Sequence, residues 1–196
     1  MTIGVTGGMG AGKSSVCSLF AEWGAERIDA DQVGHAALED EAVQEALVSA
    51  FGPSILNSEG AIDRRSLGQS AFVSDESRKK LTDIVWPEVG RRLRAAVEDA
   101  RGRCVEMLVI EASLLLERGD PEGLYEQVVV VTAPEEIRVR RSMERLGLTE
   151  TEVRSRMRHQ MSEEEKIKHA DHVLVNDGDL ETLEARTHNL WTSLTG

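Results

Sequence analysis

The segment from Gly7 to Ser14 has the residue types and spacing of a phosphate-binding loop. It reads Gly-Gly-Met-Gly-Ala-Gly-Lys-Ser: a glycine, four variable residues, then glycine, lysine and serine. Glycine allows backbone angles that a side chain forbids, so the N–H groups of such a loop can converge on phosphate oxygens. Lys13 supplies a mobile positive charge for the β- and γ-phosphates, and Ser14 offers a hydroxyl to Mg²⁺. The motif therefore predicts a site for a nucleoside triphosphate, ATP in the first instance.

The residues on either side of this loop predict the elements that it needs. Residues 2–6, Thr-Ile-Gly-Val-Thr, predict a short buried strand, and residues 14–23 predict a helix with one apolar face. The N-terminus of that helix adds the positive end of its dipole to the phosphate site. The competing interpretation is a chance glycine-rich turn, and the order strand, loop, helix argues against it.

Carboxylates come at the ends of two further predicted strands. Asp29 and Asp31 end or follow a strand at residues 27–29, and Glu111 follows one at residues 106–110. In an open parallel sheet, ligands bind at the carboxyl ends of the strands. Asp31 is a candidate base that accepts the proton of an attacking hydroxyl, and an N-cap of the next helix explains it equally well. Glu111 is a candidate metal-associated residue, with a solvated loop residue as the alternative.

Phosphoryl transfer also needs local positive charge, and this chain is acidic. It has 23 Lys and Arg against 35 Asp and Glu, a formal net charge of −12, which disfavours nucleic acid or an anionic membrane as a partner. We expect residues 138–160, two helices joined by a short turn, to form a lid that brings one or two arginines to the phosphates. A salt-bridged solvent face is the alternative for most of these arginines. They are Arg138, Arg140, Arg141, Arg145, Arg154, Arg156 and Arg158.

Short apolar segments alternate with helical stretches over most of the chain. The last two strand candidates lie at residues 127–132 and 172–176, which makes five in all. Continuous apolar runs are typical of parallel strands that are buried on both faces. The predicted fold class is therefore α/β, a three-layer α/β/α sandwich with a mainly parallel five-stranded sheet.

The alternation of strands and helices stops between residues 33 and 103. We expect residues 1–32 and 104–196 to form a nucleotide-binding core, and residues 33–103 a helical insertion that binds the acceptor. Pro87 predicts the start of a helix, because proline is favoured in a first turn. The other predicted helix starts include Asp63, Ser74-Asp75, Pro134, Thr149, Ser162 and Asp179.

The remaining sequence features point to the cytoplasm. Cys17 and Cys104 have no paired spacing, which suits a reducing compartment, and the five histidines lack metal-ligand spacing. The chain starts directly with its first predicted strand, and we find no signal peptide or segment of membrane-spanning length.

The motifs resemble those of the dephospho-coenzyme A kinases, in the same order along nearly the whole chain. They are Thr6 to Ser14, Ile28-Asp29-Ala30-Asp31, Phe51-Gly52, Asp63-Arg64-Arg65-Ser66-Leu67, Leu114-Leu115-Leu116-Glu117, Arg141 with Arg145, Arg156, Gln160, Ala170-Asp171 and Asn176-Asp177-Gly178. Many kinases share the loop, whereas the aspartate pair with Arg-Arg-Ser-Leu and Leu-Leu-Leu-Glu is more specific. Trp86, Ser113 and Glu111 stand where the family commonly has histidine, proline and aspartate.

The resemblance implies a phosphate-loop nucleotide-kinase fold and the last step of coenzyme A synthesis. In that step, ATP phosphorylates the ribose 3′-hydroxyl of dephospho-coenzyme A to give coenzyme A and ADP. The implied catalytic residues are Asp31 as the base, Lys13 and Arg141, and Ser14 is the implied metal ligand. The implied ATP-binding residues are Gly8, Gly10, Ala11, Gly12, Lys13, Ser14, Ser15, Arg141, Arg156 and Asn176, and the implied acceptor-binding residues are Thr6, Asp31, Arg64, Arg65, Leu114 and Glu117.

Three other functions remain as alternatives at this point. The first is a kinase of a nucleoside monophosphate or another small metabolite. The second is a GTP-binding switch, whose Asn-Lys-any-Asp motif does not occur here. The third is a non-enzymatic ATP-binding module. For the favoured function we expect ATP and dephospho-coenzyme A as the partners, no nucleic acid or membrane, and a monomer or weak homo-oligomer.

Overall fold

The computed structural model describes residues 1–118 and 123–196, which form two compact units. The first unit comprises Met1–Asp29 and Asp99–Gly196, and the second comprises Ala30–Glu98. The predicted division into core, acceptor-binding insertion and lid stays a prediction. Four residues of the predicted core, 119–122, lie outside the described part of the chain.

The first unit contains a five-stranded parallel sheet in its described residues. Its strands are β1 (Thr2–Gly7), β2 (Glu26–Asp29), β3 (Leu108–Glu111), β4 (Gln127–Thr132) and β5 (His172–Val175). They lie in the order β2-β3-β1-β4-β5, and every pairing is parallel. The predicted fold class is confirmed, and the apolar runs of β1, β3 and β4 are the buried inner strands, as the sequence indicates.

Helices make up most of the remaining described residues. They are α1 (Lys13–Glu22), α2 (Ala30–Ala37), α3 (Glu41–Phe51), α4 (Arg64–Ala71), α5 (Asp75–Gly102), α6 (Leu115–Arg118), α7 (Glu135–Leu146), α8 (Glu150–Met157), α9 (Glu163–Lys168) and α10 (Leu180–Thr195). No helix in the described ranges is long and apolar enough to cross a membrane.

The core of the first unit is aliphatic, because the chain has few aromatic residues. Ile3 and Val5 of β1, with Val129 and Val131 of β4, are fully buried in it. Burial of one such side chain contributes roughly 1.5–3 kcal/mol. Cys17 lies in the same cluster as a small apolar residue, and burial raises the pKa of its thiol.

The second unit is helical and has its own smaller core. Val43 and Leu47 of α3 pack with Ile55 of a short 3-10 helix and Leu67 of α4. Two of its helices begin at side-chain caps: Asp63 before α4 accepts a hydrogen bond from the backbone N–H of Ser66 at 2.6 Å, and Asp40 caps α3 in the same way.

The predicted helix start at Pro87 is wrong. Helix α5 runs without a break from Asp75 to Gly102, with Pro87 in its interior. An interior proline removes one hydrogen bond and costs about 3 kcal/mol. The helix continues through it because apolar residues pack on both sides, with Ile84 partly buried before Pro87 and Val89 buried after it. Helix length is set here by burial rather than by local propensity.

Two smaller expectations also need correction. Glu111 is the last residue of β3 and does not follow it, because Glu111 is in register with Val5 of β1 and with Asp29 of β2. The leucine spacing of the last helix predicts that Leu180 packs inward from α10, but it is 77% exposed. The predicted helix start at Thr149 is confirmed, and both hydrogen bonds of a capping box between Thr149 and Glu152 are present there.

Candidate active site

The phosphate loop lies between the end of β1 and the start of α1, as the motif predicts. Gly10 and Gly12 have φ angles of 77° and 98°, which non-glycine residues rarely adopt. A Cβ atom at Gly12 would lie 2.1 Å from Nδ2 of Asn176, and one at Gly10 would lie 2.3 Å from the carbonyl oxygen of Arg138. Both glycines are therefore required by close packing as well as by backbone angle.

Lys13 lies folded over the loop that precedes it. Its Nζ donates hydrogen bonds to the carbonyl oxygens of Gly7 at 3.0 Å and Gly8 at 3.4 Å. Only 8% of the residue is exposed. The positive charge is thus concentrated at the loop, which an otherwise acidic chain requires if it is to hold phosphate groups.

Ser14, Glu111 and Arg27 form a hydrogen-bonded chain at the start of α1. The Ser14 hydroxyl donates to Oε1 of Glu111 at 2.7 Å, and Nη2 of Arg27 donates to Oε2 at 2.5 Å. Glu111 is only 6% exposed. A hydroxyl beside a carboxylate fits Mg²⁺, which takes few protein oxygens because it keeps several waters and binds substrate phosphates. No cluster of three or more acidic, histidine or cysteine ligands occurs in the described residues.

Asn176 and Arg141 connect the loop to the end of β5. The Asn176 side chain donates from Nδ2 to the carbonyl oxygen of Ala11 at 2.8 Å, and the residue is 5% exposed. Nη1 of Arg141 donates to the backbone oxygen of Asn176 at 3.0 Å. These residues border a cleft of about 640 Å³, whose lining is Gly12, Ser15, Arg141, Asn176, Gly178, Asp179, Leu180, Glu181 and Leu183. Five predicted ATP-binding residues, Ala11, Gly12, Ser15, Arg141 and Asn176, are thereby brought together.

Arg138 was named only among the lid arginines and not as an ATP-binding residue, yet its side chain lies against the loop. A Cβ atom at Gly8 would lie 2.4 Å from Nη1 of Arg138. Nε of Arg138 donates to the carbonyl oxygen of Ala133 at 2.9 Å, and Nη2 lies 3.4 Å from Oε2 of Glu163. The signal was the three-residue spacing from Arg141, which puts both arginines on one helical face.

The other arginines of the predicted lid lie in two kinds of surroundings. Arg154 forms ion pairs with Glu135, Glu136 and Glu150, so the salt-bridged surface explains this residue. Exposed ion pairs of this kind contribute little to stability. Arg156 is exposed on α8, and its predicted contact with ATP stays a prediction.

The predicted acceptor residues in the first unit are Thr6, Leu114 and Glu117. Thr6 of β1 is fully buried, and its hydroxyl oxygen has no hydrogen-bond partner among the described residues. Leu114 directly precedes α6, and Glu117 lies in that helix. The Glu117 carboxylate accepts hydrogen bonds from Met161 and Lys166 of the same unit.

The predicted acceptor residues in the second unit are Asp31, Arg64 and Arg65. Asp31 is the second residue of α2, which begins at Ala30, so the N-cap explanation of Asp31 is wrong. Arg64 and Arg65 are the first two residues of α4, and both are exposed. The roles predicted for the three residues stay predictions.

Solved structures with the same fold define the class of this protein. It superposes on a crystal structure of TT1252 from Thermus thermophilus with a TM-score of 0.85 and 39% identity, covering 100% of this chain and 98% of the other. For the dephospho-CoA kinase from Campylobacter jejuni the TM-score is 0.74 at 26% identity, covering 99% and 96%. A shikimate kinase from Bacteroides thetaiotaomicron, 16% identical with a TM-score of 0.55 over 99% and 98%, shares the fold alone. Fold and loop together define a phosphate-loop kinase, which binds ATP.

Sequence relatives identify the family within this class. The family model described as dephospho-CoA kinase matches residues 1–182. The dephospho-CoA kinase of Corynebacterium diphtheriae is 39% identical over 190 residues, covering 96% of this chain and 94% of the relative. That of Geobacillus kaustophilus is 40% identical over 182 residues, covering 92% and 90%. The chain belongs to the dephospho-CoA kinase family, which confirms the resemblance seen in the motifs.

Proposed function

We propose that this kinase transfers the γ-phosphoryl group of ATP to the ribose 3′-hydroxyl of dephospho-coenzyme A. The products are coenzyme A and ADP. The observation that carries the proposal is a donor site assembled around the loop from Gly7 to Ser14, in a chain that matches the dephospho-CoA kinase family over residues 1–182.

The donor half of the proposal assigns ATP to the loop and the cleft beside it. Backbone N–H groups of the loop and the N-terminus of α1 bind the phosphates. Lys13 moves from the carbonyl oxygens of Gly7 and Gly8 to the β- and γ-phosphates. The cleft bordered by Asn176 and Arg141 takes the nucleoside, and its position next to Gly12 and Ser15 supports this assignment.

We assign Mg²⁺ to the hydroxyl of Ser14 and the carboxylate of Glu111. When bound there, Mg²⁺ would supply the positive charge that neutralises the phosphates during transfer. Arg27 donates a hydrogen bond to Oε2 of Glu111, which leaves Oε1 directed at the Ser14 hydroxyl. Glu111 was only a candidate for this role in the sequence, and its hydrogen bond to Ser14 now supports it.

The acceptor half assigns the base to Asp31. Its carboxylate accepts the 3′-hydroxyl proton as the hydroxyl oxygen forms a bond to the γ-phosphorus, while the bond to the β-γ bridging oxygen breaks and ADP leaves. Arg64 and Arg65 bind phosphate groups of the acceptor, which their exposure at the start of α4 supports. Arg141 and Arg156 neutralise charge that develops during transfer. Thr6 and Leu114 complete the acceptor contacts in this assignment.

The same proposal includes the organisation of the chain. Residues 1–32 and 104–196 act as the nucleotide-binding core, residues 33–103 as the acceptor-binding insertion, and residues 138–160 as a lid. We further propose that the enzyme works in the cytoplasm as a monomer or weak homo-oligomer, without nucleic acid.

The test is a panel of acceptors offered to the purified enzyme with γ-labelled ATP and Mg²⁺. The panel contains dephospho-coenzyme A, coenzyme A, adenosine, AMP, CMP and shikimate. We expect label on dephospho-coenzyme A with a clear preference in kcat/KM, and product analysis should place the label on the 3′ oxygen. Coenzyme A is the matched control, because its 3′ oxygen is already phosphorylated. Preference for a simple nucleoside monophosphate would contradict the proposal.

A further inference from the structure

A short segment beyond the predicted lid helices holds the backbone of the phosphate loop. This segment, residues 160–166, is called the strap here and includes the start of α9. The side-chain oxygen Oε1 of Gln160 accepts a hydrogen bond from the backbone N–H of Met9 at 2.9 Å. Met9 lies in the middle of the loop, so Gln160 holds the backbone of the loop at its centre.

One carboxylate fixes the strap at two points. Oε1 of Glu117 accepts hydrogen bonds from the backbone N–H of Met161 at 2.9 Å and from Nζ of Lys166 at 2.6 Å. The Lys166 side chain is 1% exposed and the Glu117 side chain 18%. A charge buried to this extent needs its partner, because an unpaired buried charge is strongly destabilising. Glu117 thus sets the position of the residue that directly follows Gln160.

The strap reaches the loop by a second route. Oε1 of Glu163 accepts a hydrogen bond from the backbone N–H of Ala133 at 3.0 Å, and its other oxygen lies 3.4 Å from Nη2 of Arg138. The Arg138 side chain lies against Gly8, the residue before Met9. The strap therefore positions groups at two neighbouring loop residues: Gln160 at Met9, and Arg138 at Gly8.

We propose that Glu117 is a positioning residue for the ATP site. With Lys166, it holds the strap so that Gln160 keeps the Met9 amide and the loop in the shape that binds phosphates. The proposal rests on the proposed function for the identity of the donor, ATP. It differs from the acceptor contact predicted for Glu117, because it places the effect of this residue on the donor.

The geometry favours the donor because each step from Glu117 to the loop is a direct contact. Glu117 contacts Met161, the neighbouring Gln160 contacts Met9, and Met9 lies between two loop glycines. Preorganised loop amides bind phosphates without first paying the entropy of ordering. Loss of the strap contacts should therefore weaken nucleotide binding and leave acceptor affinity unchanged.

The experiment measures ATP binding without acceptor and then the two KM values separately. A fluorescent ATP analogue with Mg²⁺ is titrated into the wild type, Gln160→Ala and Glu117→Gln. We expect Kd for the analogue to rise about fivefold in Gln160→Ala, the size of one lost hydrogen bond. Glu117→Gln should show the same direction, with KM for ATP raised and KM for dephospho-coenzyme A unchanged. Glu164→Gln, which removes an exposed carboxylate of α9 in the strap, is the matched control.

A second pair of variants keeps the test valid if Glu117→Gln does not fold. Lys166→Arg retains the charge and should retain ATP affinity, whereas the double variant Glu117→Gln with Lys166→Met removes both charges and should weaken it. A raised KM for dephospho-coenzyme A with unchanged ATP binding would overturn the proposal in favour of an acceptor contact. A lowered melting temperature with both affinities unchanged would overturn it too. Because ATP binding is measured without acceptor, failure of the proposed reaction is recognised separately, by the absence of product from the wild type.

Discussion

The two units differ in the kinds of side chain that they bury. In the described residues, all the buried polar and charged side chains belong to the first unit, among them Lys13, Glu111, Lys166 and Asn176. The core of the second unit is aliphatic, and its candidate ligand residues Arg64 and Arg65 are exposed. Buried polar groups cost free energy unless they are hydrogen-bonded, so they persist where their geometry is needed. The proposed donor groups are thus preorganised inside the first unit, while Arg64 and Arg65 of the second unit keep the freedom of surface side chains.

The variant with the largest expected effect on this difference is Asp31→Asn in the second unit. An amide does not accept the 3′-hydroxyl proton, so kcat should fall about 10²–10⁴-fold. ATP affinity should stay unchanged, because the groups proposed to bind ATP, such as Lys13 and Asn176, belong to the first unit. Steady-state kinetics and titration with an ATP analogue measure the two effects, with the exposed Asp83→Asn as control. Turnover at the wild-type rate would end the assignment of Asp31 as the base.

Lys13→Ala tests the first unit and should have the next largest effect. Loss of a preorganised positive group at the phosphates should lower kcat by about 10²–10³-fold. Unlike Asp31→Asn, it should also weaken ATP binding, while KM for dephospho-coenzyme A changes little. Lys79→Ala, an exposed lysine of α5, is the matched control. Equal ATP affinity in Lys13→Ala and the wild type would contradict the assignment of Lys13 to the phosphates.

Two asparagine-to-alanine variants, one in each unit, allow the units to be compared directly. Asn176→Ala leaves the carbonyl oxygen of Ala11 and the Arg141 guanidinium without this partner, at a cost of about 1–3 kcal/mol. Part of that cost should appear as weaker ATP binding. Asn57→Ala removes a turn in the second unit, where Oδ1 accepts hydrogen bonds from Glu59 and Ala61, and should lower only stability.

Melting curves and ATP titrations of both variants give the comparison. The contrast between the units would be broken if Asn57→Ala weakened ATP binding as much as Asn176→Ala. It would be sharpened if the two variants lost similar stability and differed only in nucleotide affinity.

The smallest expected effect is a pH dependence within the second unit. Hydrogen bonds from Arg91 and Arg92 lower the pKa of Glu88 from 4.5 to about 2. Because this pKa is lower in the folded chain, the stabilisation is present above pH 4.5 and is lost as the pH falls towards 2. Glu88→Gln should therefore melt below the wild type at pH 7, and the two should converge near pH 2. A difference that stays constant over this range would contradict the assignment.

Local patterns were sufficient to predict the sheet and the loop. The valine run of β4 and the glycine loop before Lys13 each carry their own signal, because burial on two faces and phosphate binding restrict residue type strongly. The long α5 did not follow from the sequence, since Pro87 is locally a helix start and only tertiary burial overrides it.

The candidate site was predictable only in part, for a similar reason. Lys13 and Ser14 belong to a contiguous motif, whereas Gln160 and Arg138 reach the loop from residues far along the chain. Glu117 shows the limit most clearly. A leucine run before a glutamate indicates a position in the family, but only the structure shows that its carboxylate receives the buried Lys166.

The strand order places β1 between β3 and β4, and this has a consequence for hydrogen exchange. Both edges of β1 are paired, so we expect the amides from Ile3 to Gly7 to exchange with solvent only when most of the first unit opens. Strand β5 is at the sheet edge, with Val173 and Val175 partly exposed, and needs a far smaller opening. We therefore expect the strand that leads into the loop to exchange slowly, and the strand that ends next to Asn176 to exchange faster.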